Sequence, residues 1–233
     1  MCTRYTIVAK AEEVATRFHV DVPDYYKPHY NAAPAQLLPV ITMDSPEGVS
    51  QFYWGLAPER SKNKAISERI INTRIESILE KPVLKKVLKN RRCLVLADGY
   101  YEWKKLGKKT IVPHRVVRTD RGLFAFAGMW EEYDDEYGAA FHTFSIITTE
   151  ANSLVKTLHD RMPLILSPEN EASWLNKNTS EQELERIMQK PYALELLDFY
   201  SVSPRINSVD VDLPSLIQPA PPADQHGNLT LFG

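Results

Sequence analysis

The second residue of the chain is a cysteine that directly follows the initiator methionine. A small residue at this position favours removal of the methionine, so the mature chain is expected to begin with Cys2. Such a terminus carries an α-amine with a pKa of about 7.7–8.0 and a thiol with a pKa of about 8.5 on neighbouring carbons. Both are expected to be partly nucleophilic at neutral pH. Towards an aldehyde the amine would form a Schiff base, and the thiol would then close a thiazolidine ring in an intramolecular step, for which effective molarities reach about 10⁵ M or more.

Glu102 is a candidate for proton transfer beside such a nucleophile. It lies in the segment Asp-Gly-Tyr-Tyr-Glu-Trp, where the alternation of a strand places Asp98, Tyr100 and Glu102 on one face. The aromatic neighbours Tyr101 and Trp103 would raise the pKa of the carboxyl into the range that suits a general acid or base. The alternative is an ordinary exposed glutamate on a strand.

His159, Asn72 and Asn31 extend the set of polar candidates. His159 stands in Leu-His-Asp-Arg-Met-Pro and is either a proton shuttle near neutral pH or a turn residue that binds backbone. Asn72 alternates with Arg74 and Glu76, so the three share one face if that stretch is extended. Asn31, in Tyr-Asn-Ala-Ala-Pro, is typical of a turn. The sequence shows neither metal-ligand spacing nor a glycine-rich phosphate loop, so no metal and no cofactor are expected.

Short β segments dominate the chain that must position these residues. β-Branched and aromatic residues predict strands at residues 50–54, 92–97, 100–104, 110–118, 123–130, 143–148 and 164–166. Periodicity predicts helices at residues 11–18, 76–89 (interrupted by Pro82), after Thr149, at 168–175 and at 180–188. Leu106-Gly107 and Arg121-Gly122 indicate hairpin turns. The expected fold class is α+β, with a mostly antiparallel, curled or barrel-like β-sheet core and peripheral helices. One domain is expected over residues 1–220, with a flexible tail over residues 221–233.

Composition restricts the classes of protein. The 233 residues are 43% hydrophobic and 25% charged, which suits one large domain with a substantial core. Two cysteines are too few for a disulfide framework, and Cys93, in an apolar run, is expected in the core. No apolar run reaches the ~18–20 residues of a membrane helix, and the start does not resemble a signal peptide. We therefore expect a cytoplasmic protein that does not contact a membrane, with a monomer as the default.

The net charge of −2 hides an uneven distribution. Between Lys81 and Arg118, twelve basic residues stand against Asp98 and Glu102, a local charge of +10. Such a stretch would neutralise phosphates whatever the charge of the whole chain. A solvated helix face followed by a lysine-rich hairpin tip is the alternative. The acidic residues between 131 and 136 are interpreted as a solvated hairpin loop that ends at Gly138.

Together these segments resemble the SRAP family, the SOS-response-associated peptidases that process abasic sites and cross-link to single-stranded DNA. The resemblance covers about residues 1–220. It rests on motifs in a fixed order, namely Met1-Cys-Thr-Arg, Tyr30-Asn-Ala-Ala-Pro, Trp54-Gly-Leu-Ala-Pro, Ile71-Asn-Thr-Arg-Ile-Glu, Ala97-Asp-Gly-Tyr-Tyr-Glu-Trp-Lys and Leu158-His-Asp-Arg-Met-Pro. Several ordered motifs around an N-terminal cysteine form a specific signal.

The resemblance implies a self-labelling reaction with abasic sites in single-stranded DNA, at the nucleoid. Cys2 would attack the open-chain aldehyde of the sugar, and the resulting covalent cross-link would shield the lesion. Asn72 would position the terminal amine or the ring oxygen, Glu102 would transfer amine and Schiff-base protons, and His159 would act as general acid and base on the sugar. Contacts to DNA are expected from Arg4, Arg74, Thr148 and Arg161. Abasic-site lyase activity and autoproteolysis at Cys2 are implied as well.

Two positions depart from the family pattern. Thr3 stands where the family usually has glycine, which adds bulk beside the nucleophile. Residues 59–64 replace an aromatic pair that stacks on a DNA base, a contact worth about 1–3 kcal/mol per base. Arg60, Lys62 and Lys64 would substitute charge for stacking, with greater sensitivity to salt.

Two other functions compete with this interpretation. An N-terminal-nucleophile amidohydrolase of the class II glutamine amidotransferase type also matures to a cysteine, although those enzymes usually continue Cys-Gly-Ile. A non-catalytic single-strand-binding module would use the basic stretch together with Trp54, Tyr101 and Trp103.

The C-terminus suggests a protein partner. Asn228-Leu-Thr-Leu-Phe resembles the short peptide that binds the bacterial sliding clamp, so the expected contacts are Asn228, Leu229, Leu231 and Phe232. The alternative is that Leu231 and Phe232 pack onto their own domain.

Overall fold

The computed structural model describes residues 2–55, 71–107, 109–134, 137–189 and 192–230. Within these residues the chain forms thirteen strands in two sheets, and five α-helices. The strands are β1 (Tyr5–Ile7), β2 (His29–Ala32), β3 (Leu37–Thr42), β4 (Ser45–Trp54), β5 (Asn72–Arg74), β6 (Arg92–Ala97), β7 (Gly99–Leu106), β8 (Thr110–Arg118), β9 (Phe124–Asp134), β10 (Ala140–Glu150), β11 (Arg161–Pro163), β12 (Ile165–Leu166) and β13 (Leu197–Ser201). The helices are α1 (Ala11–Phe18), α2 (Ile75–Glu80), α3 (Pro82–Asn90), α4 (Pro168–Leu175) and α5 (Glu181–Gln189).

Five strands of the larger sheet close into a ring. β10 pairs with β4, β4 with β3, β3 with β6, β6 with β9, and β9 returns to β10. Only the β10–β4 pair of this ring is parallel. β5, β11 and β12 extend the sheet at its margins. This ring confirms the predicted α+β class with a barrel-like, mostly antiparallel core. Closure is one way in which a sheet avoids exposed edges.

The smaller sheet has the strand order β13-β8-β7-β1-β2, and its described pairings are antiparallel. Alternation gives this sheet two different faces. Tyr5 and Tyr100 face the interior and join the main core. Tyr101 faces outward and is covered by Val202 and Ile206 from the C-terminal part of the chain. The smaller sheet is therefore buried on both faces around β7.

The helices lie outside the sheets, and most were predicted. The predicted interruption at Pro82 separates α2 from α3, where proline occupies the first turn and its missing N–H is of no consequence. The helix predicted after Thr149 is wrong. β10 continues to Glu150, and only a short 3₁₀ turn, Val155–Thr157, follows.

Two loop predictions are wrong, and a third is right only in part. Arg121-Gly122 does not close a hairpin, since β8 and β9 belong to different sheets, and Arg121 with a φ of 59° turns the chain from one sheet to the other. Asn31 lies in strand β2 and not in a turn. Its side-chain amide donates to carbonyls of the surrounding backbone. The acidic hairpin between β9 and β10 is present, with Gly138 at its turn. Its strands are longer than expected, because Glu131 and Glu132 lie within β9, where His142 of β10 pairs with Glu132 at 2.9 Å. Residues 135 and 136 lie outside the described residues.

The described part of the segment predicted as a tail lies against the domain. The N–H of Ala220 donates to the carbonyl of Ser201 at 3.0 Å. The side chain of Gln225 binds the N–H of Ile111 and the carbonyl of Lys109, at 3.0 and 2.7 Å. These contacts attach residues 219–230 to β13 and β8, while residues 231–233 lie outside the described residues.

Across the described ranges, the structure contains no helix with the length and apolar character needed to cross a membrane.

Candidate active site

Cys2 is fully buried just before β1, which is held between β2 and β7. Its thiol donates to the carbonyl oxygen of Arg4 at 3.5 Å. Nδ2 of Asn72 donates to the carbonyl oxygen of Cys2 at 2.7 Å. Asn72 belongs to β5, which pairs with β10 of the larger sheet. The two sheets therefore meet at the start of the chain.

Burial determines the state of the Cys2 thiol. It holds the pKa of the thiol well above its ordinary range, and the nearby charge of Glu102 raises that pKa further. Burial therefore favours the neutral thiol at pH 7, where the ordinary pKa of a cysteine would allow partial ionisation. A base must remove its proton when the sulfur forms a bond.

Glu102 lies on the interior face of β7 and is only 1% exposed. Burial raises the pKa of its carboxyl to about 7, while the positive charge of the amino terminus acts in the opposite direction. Tyr101 and Trp103, which were expected to raise this pKa, lie on the other face of the strand with the outer apolar cluster. A carboxyl with a pKa near 7 is present in both forms at neutral pH, so it can donate and accept protons.

His159 follows the 3₁₀ turn that precedes β11. The backbone N–H of Arg161 donates to its Nδ1 at 2.9 Å, so the neutral ring carries its proton on Nε2 and has a donor there. Burial lowers the pKa of His159, and the positive charge of the amino terminus lowers it further. The ring is therefore neutral at pH 7 and lies within the electrostatic reach of the chain's start.

His114 is a buried histidine, next to Glu102 in the sheet, that the sequence did not single out. It is 2% exposed and is the direct cross-strand partner of Glu102 in the β7–β8 hairpin. Its Nδ1 lies 3.0 Å from the carbonyl oxygen of Val112. The hairpin turn predicted at Gly107 would have been enough to find this pair. It pairs Leu106 with Thr110, and counting four residues back from Leu106 and four residues on from Thr110 gives Glu102 and His114.

The residues expected to contact DNA differ in their exposure to solvent. Arg4 is directed inward, where Nη1 donates to Oδ1 of Asn31 at 3.0 Å and to the carbonyl of Ile206 at 2.8 Å. Thr148 is fully buried in β10. Arg74, the register partner of Thr148 on β5, is exposed. A direct phosphate contact is thus open to Arg74, whereas the side chain of Thr148 supports the wall of the site.

Arg161 connects β11 with β10 and α2. Its guanidinium binds the carboxylate of Glu76 through two bonds, at 2.7 and 3.0 Å, and donates to the carbonyl of Thr148 at 2.7 Å. Glu76 does not share a strand face with Asn72 and Arg74, because α2 begins directly after Arg74 and carries Glu76 in its first turn.

The basic stretch is divided by the fold. Arg92 and Arg115 are buried, and Arg115 pairs with Asp98 at 2.8 Å. Lys108 and the substituted segment with Arg60, Lys62 and Lys64 lie outside the described residues. Among the residues that are described, no group of three or more His, Cys, Asp or Glu side chains is arranged to hold a metal ion.

The family follows from comparison with known proteins. Residues 1–209 match the family model of the SOS response associated peptidases, SRAP. This chain belongs to the SRAP family. The match includes the residues that build the site, from Cys2 to Arg161, and both sheets, and it ends before residues 210–230.

Two named relatives and a solved structure are similar to this chain over most of its length. The abasic site processing protein YoqW of Bacillus subtilis is 40% identical over 223 residues, which cover 94% of this chain and 99% of the relative. The abasic site processing protein HMCES of Mus musculus is 28% identical over 237 residues, which cover 85% of this chain and 67% of the relative. A crystal structure of a protein from Bacteroides thetaiotaomicron has a TM-score of 0.82 at 31% identity, with coverage of 94% of this chain and 100% of that chain.

Proposed function

We propose that this SRAP protein processes abasic sites in single-stranded DNA by forming a covalent cross-link through Cys2. The observation that carries the proposal is a buried cysteine at the start of the chain, held by Asn72 and close to a carboxyl, Glu102, whose pKa is about 7. Relatives named abasic site processing proteins support the same substrate. A cytoplasmic, nucleoid-associated location follows from such a substrate.

The first step joins the amine of Cys2 to the sugar. After removal of Met1, the amine adds to the aldehyde carbon of the ring-opened sugar and forms a carbinolamine. Protonated Glu102 gives a proton to the carbinolamine oxygen, which leaves as water, and an iminium ion results. His159 donates from Nε2 to the sugar and favours its open form, in agreement with the bond that Arg161 makes to Nδ1.

The second step closes the ring. The neutral thiol gives its proton to the carboxylate of Glu102, and the sulfur adds to the iminium carbon. Glu102 is thereby protonated again, and the product is a thiazolidine whose mass is that of DNA plus protein less one water. The buried, neutral state of the thiol is why this step requires a base with a pKa near 7.

A lyase activity belongs to the same proposal. The iminium ion acidifies the C–H bond beside it, so elimination of the 3′ phosphate competes with attack by the thiol. Maturation requires only that the amine of Cys2 be released, either by removal of Met1 or by the autoproteolysis that the family name implies.

A cross-linking assay tests the proposal directly. Purified protein is mixed with a single-stranded oligonucleotide that carries one abasic site, and the expected product is a heat-stable adduct with the mass given above. Cys2→Ala and a peptide tag placed before Cys2 should both abolish the adduct, whereas Cys93→Ala, which removes the other buried thiol, should retain it. An adduct that persists in Cys2→Ala would overturn the proposal.

The rival functions predict other results in the same assay. A single-strand-binding module would associate equally well with DNA after Cys2→Ala and would form no heat-stable adduct. An amidohydrolase would release ammonia from glutamine. Asn72→Ala and His159→Ala should slow formation or reversal of the adduct while the affinity for DNA with a tetrahydrofuran analogue, which has no aldehyde, stays unchanged.

The C-terminal peptide supports a separate proposal, that the sliding clamp is a partner. Leu229 is 76% exposed, and Asn228 is held on a turn by Asp224 at 3.1 Å. Truncation after Thr230 removes Leu231 and Phe232 and keeps the described contacts of the turn. Loss of clamp binding in a titration would support the peptide, and unchanged affinity would exclude it.

A further inference from the structure

Two tyrosine hydroxyl groups lie inside the protein without a hydrogen-bond partner in the part of the chain that the structure describes. Tyr5 on β1 and Tyr100 on β7 are fully buried, and neither hydroxyl finds a partner among the described residues. The two residues are direct partners in the β1–β7 pairing, so their side chains stand next to each other on the interior face. A buried hydroxyl that is left unpaired lowers stability and requires an explanation.

Two other buried tyrosines have hydroxyls with partners. The hydroxyl of Tyr26 donates to the carbonyl of Ala9 at 2.8 Å, and that of Tyr101 donates to the carbonyl of Tyr30 at 2.8 Å. Tyr101 is next to Tyr100 in β7 but points to the opposite face. The unpaired state thus belongs to the interior position of Tyr5 and Tyr100, not to buried tyrosines in general.

The rings around these hydroxyls prevent them from turning towards solvent. Tyr5 packs edge-on against Trp54 at 5.2 Å and against Phe126 at 5.9 Å between ring centroids. Tyr100 packs edge-on against the same Phe126 at 5.9 Å. Because both rings are fixed by one aromatic cluster, their hydroxyls keep a defined position relative to each other.

This position adjoins the reacting groups. Tyr100 is two residues before Glu102 on the same face of β7, and Tyr5 is three residues after Cys2. Oδ1 of Asn72 is likewise buried without a partner within the described chain, while its Nδ2 holds Cys2. Burial raises the pKa of Tyr100 well above its ordinary range, and the charges of Glu102 and Cys2 raise it further, so the phenol remains a donor at neutral pH.

We propose that the hydroxyls of Tyr5 and Tyr100 bind the oxygen that leaves the aldehyde carbon during cross-linking. This inference rests on the proposed function and assigns two further residues to it. When the C–O bond of the carbinolamine breaks, its electron pair stays with the oxygen, which takes a proton from Glu102 and departs as water. Two phenol O–H groups donate to that oxygen, stabilise the charge that develops on it and hold the water that forms.

The proposal predicts opposite effects on stability and on rate. In the free protein the hydroxyls have no partner among the described residues, so their removal should not destabilise the fold and should raise its melting temperature slightly. In the reaction they gain a partner, so their removal should slow the chemical step. If the tyrosines had only a structural role, their replacement would lower the stability of the protein and leave the rate of cross-linking unchanged.

Three tyrosine-to-phenylalanine variants test the inference. Tyr5→Phe and Tyr100→Phe each remove one unpaired hydroxyl, and Tyr101→Phe is the matched control on the same strand with a paired hydroxyl. For each variant we would measure the melting temperature, the single-turnover rate of cross-linking to abasic single-stranded DNA, and the affinity for DNA with the tetrahydrofuran analogue. The expected results for Tyr5→Phe and Tyr100→Phe are an equal or higher melting temperature, a rate at least about tenfold lower, and an unchanged affinity. Tyr101→Phe should lower the melting temperature and keep the rate.

Either of two results would overturn the inference. One is a rate in both Tyr5→Phe and Tyr100→Phe that equals that of the unmodified protein. The other is a melting temperature that falls in both variants as it does in Tyr101→Phe, which would mean that the hydroxyls have partners in the fold. Failure of the unmodified protein to form any adduct is a different outcome, because it would overturn the proposed function itself.

Discussion

The pKa of the Glu102 carboxyl is set by its burial in the core. Its backbone belongs to a strand that the sequence predicts, but its carboxyl is enclosed by the interior face of the smaller sheet. Burial disfavours the charged form of a carboxyl, and this effect is larger than the opposing effect of the amino-terminal charge. The result is an acid that loses its proton near neutral pH, beside a thiol that must lose one in the reaction.

Glu102→Gln is expected to stabilise the protein most at alkaline pH. The folded chain has a pKa of about 7 at this carboxyl, against about 4.3 in the unfolded chain. Below the unfolded value both states are protonated. Between the unfolded and the folded pKa the unfolded chain loses its proton first. Once the pH has risen through the folded pKa, the interior must hold a charge that it disfavours, and the free energy of unfolding has fallen by on the order of 3 kcal/mol. Denaturant unfolding at about pH 5 and about pH 8 measures the difference between the variant and the parent protein.

Glu12→Gln is the matched control for this prediction. Glu12 is exposed on α1, and its replacement makes the same change in charge. Its effect on the free energy of unfolding should be the same at both pH values. A Glu102→Gln effect that is equally constant, or that becomes more destabilising as pH rises, would be incompatible with a buried acid.

Among the elements, β5, α2 and β11 form the side of the site that belongs to the larger sheet. β5 and β11 both pair with β10, and the two bonds between Arg161 and Glu76 attach α2 to β11. Asn72 and Arg74 are therefore placed by the same strand pairing that places Thr148. This arrangement explains how two short strands hold polar groups at fixed positions.

Glu76→Gln is expected to make Arg161 available to DNA. Glu76 is half exposed, so its ion pair contributes at most about 1 kcal/mol to stability. Removal of its charge beside Arg161 and Arg74 should strengthen non-covalent binding of single-stranded DNA at low salt, which fluorescence anisotropy measures. Glu80→Gln, at the exposed end of the same helix, is the control. Equal affinity of the Glu76→Gln variant and the parent protein would argue against Arg161 as a DNA contact.

Arg92 has a purely structural role that its sequence position does not reveal. It is 1% exposed and donates to the carbonyls of Leu88 and Lys89 at the end of α3, and to those of Trp174 and Asn176 at the end of α4. The last carbonyls of a helix lack partners within the helix, and a cation there also complements the helix dipole. One side chain thus joins two helix ends.

Arg92→Ala should destabilise the fold without a direct effect on DNA. It leaves buried carbonyls without donors, so we expect the free energy of unfolding to fall by about 3 kcal/mol or more. Lys89→Ala, at an exposed position one turn before it, should change stability by less than about 0.5 kcal/mol. Urea unfolding measures both variants, and a loss in Arg92→Ala no larger than that in Lys89→Ala would contradict the assigned role.

For the whole molecule, the position of the site depends on how the two sheets pack. Cys2 and Glu102 come from the smaller sheet, whereas Asn72 and His159 come from elements next to β10 of the larger one. The main core is continuous across both sheets, which fixes their relative position. The start of the chain is thereby held at the junction.

Charge that faces DNA is expected near this junction, not along the whole basic stretch. Lys105 is exposed on β7, and it adds to the burial that lowers the pKa of His159, which places it near the site. Lys105→Gln should reduce the slope of log affinity against log salt by about 0.7, the share of one phosphate contact with single-stranded DNA. Lys89→Gln, the same change on α3, should not alter the slope. An equal reduction of this slope in both variants would contradict the prediction, because it would show that the position of the positive charge does not matter for DNA binding.

Sequence by itself determined the local features of this protein. The strands at residues 92–97 and 110–118 and the helices at residues 11–18 and 168–175 have the predicted bounds, because residue preferences and periodicity act over a few neighbouring residues. The same holds for the interruption at Pro82 and for the turn at Gly107. The order of motifs around Cys2 was sufficient for the family.

Only the tertiary structure decided the states and partners of the site residues. Asn72 meets Cys2 across seventy positions of sequence, and Arg4 binds the carbonyl of Ile206 across 202. The raised pKa of Glu102 and the neutral thiol of Cys2 come from burial that no local pattern encodes. Pairing and desolvation depend on which distant residues surround a group, and that is settled when the two sheets pack together.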